Sequence, residues 1–173
     1  MNRLLNLSVV AFFTMTTVSL PAAENLADRL RKTGLDRLLG TWVDAETKGK
    51  KLTTTYTWRF KDKVIENTTT IEGRKDVALI GLNARTGEMF QMTADDQGGS
   101  SLGSWKGNPD RSATLGVLFT TGDGQQGAIS IDFRFENNDT LIMTLPAEKP
   151  VVFRLVRSSE DKKGKNKGVD PSQ

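Results

Sequence analysis

The feature that most constrains this chain is a series of short segments in which apolar and polar residues alternate. In the clearest of them, residues 129–135, isoleucine and phenylalanine alternate with serine, aspartate and arginine. Successive side chains of a β-strand point to opposite faces, so this pattern is typical of a strand with one buried face. About ten such segments follow one another between residues 41 and 157, separated by turn-forming residues such as Gly87, with no helical pattern among them.

This spacing predicts an all-β protein. A single sheet of about ten strands must curl or split, so the two candidate architectures are a closed barrel and a sandwich. Two hairpins also resemble each other, because Trp58–Phe60 turns into Val64 in the same way that Phe133–Phe135 turns into Leu141. We therefore predict a single antiparallel up-and-down β-barrel of about 8–10 strands with a short N-terminal helix.

The helix is predicted in residues 24–40, directly before the barrel of residues 41–157. Leu26 and Leu30 are four residues apart, as are Leu35 and Leu39, which indicates one apolar helical face. Gly34 is expected to divide this segment into two short pieces.

The entry to the first strand, Gly40-Thr41-Trp42, resembles the Gly-x-Trp signature of the lipocalin-like (calycin) barrels. The hairpins above, the turn at 83–87 and an arginine in the last strand extend the resemblance over residues 35–157. It implies that Trp42 plugs one barrel end and that Arg154 or Arg157 stacks across it as a cation–π contact. Lipocalins have eight strands and a later helix, so about ten strands bring the chain nearer to fatty-acid-binding or nitrobindin-type calycins.

The two ends of the chain have compositions of their own. Residues 1–23 combine a basic head, an apolar run and small residues, which predicts a cleaved signal peptide and a periplasmic or secreted protein. The apolar run is short for a membrane span, and the chain has no cysteine for lipid attachment or disulfides. Residues 158–173 are predicted to be a disordered basic tail. The formal charge of +3 comes from Arg3 and residues 157–173, so residues 24–156 are neutral and nucleic acid is not an expected partner.

The residue types available for chemistry are few. The chain has no histidine and no cysteine, which removes the usual general base, the usual thiol nucleophile and a histidine-ligated haem. Carboxylates are then the acid–base groups, and Glu66, Glu72, Asp132 and Glu136 lie in or beside predicted strands. Asp95, Asp96 and Asp123 lie in loops without an EF-hand ligand set. We expect no catalytic residues, no metal and no cofactor.

The remaining candidates are large apolar side chains. In a roomy barrel they would line a pocket for a small apolar molecule, and in a filled barrel they would be packed core. These residues are Tyr56, Trp58, Phe90, Met92, Trp105, Phe119 and Phe133.

Three functions remain open. The leading hypothesis is binding of a small apolar or amphipathic ligand in the barrel. The first alternative is a non-catalytic structural or interaction module of the cell envelope, acting through an exposed face, such as the threonine-rich segments 53–57 and 68–70, or through the basic tail. The second is a small carboxylate-dependent hydrolase or isomerase. The oligomeric state is left open.

Overall fold

The computed structural model describes residues 24–108 and 110–159, and within them ten antiparallel strands close into a single barrel. The predicted signal peptide, and the predicted basic tail from residue 160 onward, lie outside the described residues. The strands are β1 (Gly40–Asp44), β2 (Leu52–Phe60), β3 (Val64–Ile71), β4 (Arg74–Leu82), β5 (Met89–Asp95), β6 (Ser100–Gly107), β7 (Ala113–Thr120), β8 (Gln126–Asn137), β9 (Thr140–Leu145) and β10 (Val151–Arg157).

The predicted fold class is confirmed, and the structure is a barrel rather than a sandwich. Each strand pairs with its neighbour in the chain, and β10 pairs back onto β1 through Trp42 opposite Arg157 and Val43 opposite Val156. Closure gives every strand a partner on both sides, so no strand of the described residues is an unpaired sheet edge.

The N-terminal segment forms two short helices, as predicted. Helix α1 (Leu26–Thr33) begins at Asn25, whose side-chain oxygen accepts a hydrogen bond from the amide of Asp28 at 2.9 Å. It ends at Gly34, which has a positive φ of 72° and is followed by a 3-10 helix, Leu35–Leu38. No helix of the described residues is long and apolar enough to span a membrane.

The main apolar core fills the half of the barrel nearest α1. Leu26, Leu30, Leu35 and Leu38 of the two helices are buried and join the same cluster as the inward side chains of the strands. Trp42 and Leu155 are fully buried there. We call this half the closed end, and the half reached by the start of β2 and the end of β3 the open end.

Candidate functional site

The closed end is sealed around Trp42. Its ring is fully buried, and its Nε1 donates a hydrogen bond to the carbonyl oxygen of Leu38 at 2.8 Å. The guanidinium carbon of Arg157 lies 4.3 Å from the centroid of the Trp42 ring. The Arg157 nitrogens also donate to the carbonyl oxygens of Leu39 at 2.8 Å, Arg37 at 2.6 Å and Asn138 at 3.0 Å. One arginine therefore ties the last strand to the helical segment and the tryptophan.

Of the two arginines considered for this contact, the structure places Arg157 over Trp42. Arg157 shares the inward face of β10 with Phe153 and Leu155, and it is buried. Arg154 is an odd number of residues away, lies on the outer face and forms an ion pair with Glu136.

The open end contains a cavity of about 190 Å³, which we call the chamber. Its lining consists of Leu52, Thr54, Tyr56, Asn67, Thr69, Ile71, Asp76, Gln91, Thr93, Ser101, Leu115, Val117, Ile129, Ile131, Phe133, Met143 and Leu145. A second hollow of about 270 Å³ at the barrel mouth shares Asp76, Ser101 and Val117 with the chamber. The chamber thus lies between the packed core and the mouth.

The chamber wall formed by β2 and β3 is polar and hydrogen-bonded. Asn67 Nδ2 donates to Thr54 Oγ1 at 2.8 Å and to the carbonyl oxygen of Thr55 at 3.2 Å. The hydroxyls of Thr54 and Thr69 are 3.0 Å apart, and Thr69 donates to Asn67 Oδ1 at 3.3 Å. These groups bond one another, so the wall is held in one arrangement.

The opposite wall is apolar. Leu115 and Val117 of β7, Ile129 and Ile131 of β8, and Met143 of β9 present only hydrocarbon and thioether groups to the chamber. In the ten-strand order, β8 lies five strands from β3, so the two walls face each other across the barrel. The chamber is therefore amphipathic across its width.

Asp76 is the one charged side chain in the chamber lining, within the residues that the structure describes. It is half-buried on β4, between Thr69 of β3 and Asp95 of β5. Burial above all, and also the nearby carboxylates of Asp95 and Asp96, raise the pKa of Asp76 to about 6, although a hydrogen bond with Thr69 acts in the opposite direction. Tyr56 lies deeper, where burial raises its pKa to about 12.

Five of the seven predicted pocket residues lie in the chamber, in the core or at the mouth. Tyr56 and Phe133 line the chamber. Trp105 is buried against Phe133, with ring centroids 4.9 Å apart, and its Nε1 donates to Gln91 Oε1 at 3.1 Å. Trp58 packs against the core and is only partly buried. Phe119 lines the mouth, on the inward face of β7.

The expected placement of Phe90 and Met92 inside the barrel is wrong. Met89 points into the barrel and is buried. Because successive side chains of β5 alternate between the two faces, Phe90 and Met92 point outward, where they are 40% and 48% exposed. Phe90 packs closely over Gly81 of β4. A Cβ atom at position 81 would lie only 2.6 Å from the Phe90 ring. Both side chains belong to the outer surface.

The carboxylates singled out in the sequence also lie outside the chamber. Glu66 faces Arg59 across 3.8 Å, Glu136 pairs with Arg154, and Asp132 accepts a hydrogen bond from Thr114 at 2.8 Å. Asp95 does reach the mouth, but its Oδ1 accepts hydrogen bonds from the amides of Gln97 and Gly99. Within the described residues, no group of three or more acidic, histidine or cysteine side chains is placed to hold a metal ion.

Several polar residues of the chamber, Asp76 and Thr69 among them, are not predicted from the sequence. Asp76 lies on a strand with apolar residues on both faces, since Val77 and Leu79 point outward while Ala78 and Ile80 point inward. Thr69 was grouped with its neighbours as a candidate outer face, whereas it points inward and Thr68 points outward. Once the inward-facing positions of the barrel are known, the strand register assigns both Asp76 and Thr69 to the inward face.

A second feature is an uncharged outer face on β4–β8. Leu79, Met92, Leu102, Leu118 and Ala128 lie directly opposite one another on successive strands and form one row. The rows on either side also contain no charged residue. One row consists of Val77, Ala94, Ser100, Thr120 and Gln126, and the other consists of Gly81, Phe90, Ser104, Gly116 and Ser130. Leu102 and Leu118 are 62% and 67% exposed. We call these three rows the outer apolar face.

Comparison with known proteins adds no family. No protein-family model matches this chain, and no curated protein is significantly similar to it. The closed antiparallel barrel is compatible with a lipocalin-like fold.

Proposed function

We propose that this protein is an exported, lipocalin-like binding protein that holds a small amphipathic molecule in its barrel, without catalysis. The observation that carries the proposal is the chamber, which has a hydrogen-bonded polar wall on one side and an apolar wall on the other. Small-molecule sites are typically apolar cavities with a few fixed polar groups that orient the ligand.

The size of the chamber limits the ligand. A volume of about 190 Å³ is below the usual range for a drug-sized ligand, which starts at about 300 Å³. A ligand larger than the chamber therefore extends into the mouth, where Phe119 and Thr93 form part of the lining.

A binding role agrees with the chemistry of the lining better than a catalytic one. Within the described residues, the acid–base groups at the chamber and mouth are Asp76, Asp95 and the high-pKa phenol of Tyr56. Asp95 is engaged by loop amides. Among the described residues, Asp76 therefore has no second carboxylate beside it that is free of other hydrogen bonds, which favours binding over hydrolysis.

The test is binding of a neutral fluorescent probe, N-phenyl-1-naphthylamine, to the purified full chain. A Val117→Phe variant fills the chamber, and we expect it to weaken probe binding by about tenfold or more, since about 1.4 kcal/mol corresponds to tenfold. A Leu118→Phe variant is the matched control, because Leu118 is the next residue on the same strand and faces outward. Absence of probe binding to the unaltered protein, or equal binding by both variants, would overturn the proposal.

A second candidate role is favoured by the outer apolar face. We propose that this face joins two copies of the chain. Its borders carry both signs of charge, with Lys75 and Asp96 at one border and Lys106 and Asp132 at the other. A two-fold related copy therefore meets opposite charges at its rim and an apolar row at its centre, as an isologous interface requires.

Sedimentation velocity at increasing protein concentration tests this second role. We expect the unaltered protein to form dimers and a Leu102→Lys, Leu118→Lys double variant to be monomeric, because it places charge at the centre of the interface. Thr57→Lys, on the exposed outer surface of β2, is the control and should still dimerise. A monomer at all concentrations would contradict the role.

A further inference from the structure

The described lining of the chamber carries negative charge and no positive charge. Its lining contains one carboxylate, Asp76, and no lysine or arginine among the described residues. The mouth hollow adds Asp95 and again no basic side chain from that part of the chain. A ligand that enters the barrel therefore meets negative charge at the open end.

The basic residues nearest to Asp76 lie at the rim. Arg74 and Lys75 begin β4 and line an outer hollow together with Glu72, Asp76 and Asp95. Lys75 points outward from β4, and its amide donates to Asp96 Oδ2 at 3.1 Å. They stand at the entrance and leave the chamber itself without a cation.

We propose, resting on the proposed function, that the ligand is an amphiphile with a protonated amine or similar compact cation, bound against Asp76. Its apolar body then lies along the β7–β9 wall, where Val117, Ile129 and Met143 offer hydrocarbon and thioether contacts. Anionic amphiphiles, such as fatty acids, are excluded.

The physical reason is the cost of an unpaired charge in a partly dehydrated site. A carboxylate ligand would bring a second negative charge next to Asp76 with no basic partner inside, and both desolvation and repulsion oppose that. A cation instead pairs with Asp76, and the pair interacts more strongly there than in bulk water. The polar wall of Thr54, Asn67 and Thr69 is engaged in its own hydrogen bonds, and Asp76 is the charged group of the described lining that can recognise a head group.

The proposal implies a pH dependence. The charged and hydrogen-bonding groups around Asp76 are Thr69 from β3, Asp95 and Asp96 at the end of β5, and Glu72, Arg74 and Lys75 at the start of its own strand. With a pKa of about 6, Asp76 is charged above that pH and neutral below it. The affinity for a cation should therefore fall as the pH falls through about 6.

The experiment compares octylamine, octanol and octanoate as competitors of N-phenyl-1-naphthylamine on the full chain. At about pH 8, we expect octylamine to bind at least about tenfold more tightly than octanoate, which corresponds to about 1.4 kcal/mol. At about pH 5 the affinity for octylamine relative to octanol should fall, because Asp76 is then protonated while octylamine keeps its charge. Asp76→Asn should abolish the preference for octylamine over octanoate, whereas Asp132→Asn, on the outer face, should keep both this preference and the binding of the neutral probe.

The outcomes separate the two proposals. Octanoate binding as tightly as octylamine, an unchanged preference in Asp76→Asn, or probe binding that none of the three compounds displaces would each overturn the charge selection while leaving the binding function. Failure of the neutral probe to bind would overturn the proposed function itself.

Discussion

The two ends of this barrel are built from the same strands, yet they differ in how much space their inward side chains leave unfilled. At the closed end, Trp42, Leu155 and the helical leucines are buried with almost no exposed surface, and Arg157 ties the strands to the helices. At the open end, many inward positions of β2–β6 carry small polar residues such as Thr69 and Ser101, and the chamber remains. Side-chain size at the inward positions thus decides which end is core and which is site.

The largest effect on stability is expected at Trp42, in the closed end. Trp42→Ala should lower the free energy of unfolding by about 3–5 kcal/mol, because it leaves a large cavity and removes the stacking surface of Arg157. Urea denaturation measures this, with Trp58→Ala as the control, since Trp58 is only partly buried. Equal losses for the two variants would mean that the closed end is not the main support of the fold.

The second test uses the two arginines of β10. Arg157→Leu should cost about 2–4 kcal/mol, because the carbonyls of Arg37, Leu39 and Asn138 lose a charged donor in a buried place. Arg154→Leu removes a surface ion pair with Glu136 and should cost less than about 1 kcal/mol. Comparable values from urea denaturation would remove the special role of Arg157.

The extent to which the sequence predicts these two ends differs for a physical reason. Alternation predicted the barrel, and Gly34 predicted the break in the helical segment, because both features are local. The sequence pattern puts Phe90 on the wrong face and leaves Asp76 unassigned, because β4 and β5 carry apolar residues on both faces, and alternation assigns an inward face only when the two faces differ. The size of the chamber depends on contacts between strands far apart in the chain.

The third test concerns Asp76 and the pH dependence of stability. Its pKa is raised on folding, so its stabilising contribution is present below the unfolded value of 3.8 and is lost as the pH rises through about 6. At about pH 8, Asp76→Asn should therefore be more stable than the unaltered protein, by about 1 kcal/mol after allowance for partial exposure. Urea denaturation gives the free energy of unfolding of both proteins at several pH values between about pH 4 and pH 8. The difference between the two proteins at each pH isolates this contribution. An Asp76→Asn variant that is less stable at high pH would indicate a stabilising partner for the carboxylate.

The smallest effect is expected at the polar wall of the chamber. Thr69→Val keeps the shape of the side chain and removes the hydroxyl that bonds Thr54 and Asn67. The loss should be about 1 kcal/mol or less, because a chamber that opens towards the mouth can supply water to the groups left unpaired. Thr68→Val, on the outer face of the same strand, controls for the change in strand propensity. Thermal denaturation would show a shift in Tm of a few degrees at most. A loss as large as that of Arg157→Leu would mean that the open end is closed to water and is held together as tightly as the packed end, and the division of the barrel into a support and a site would then fail.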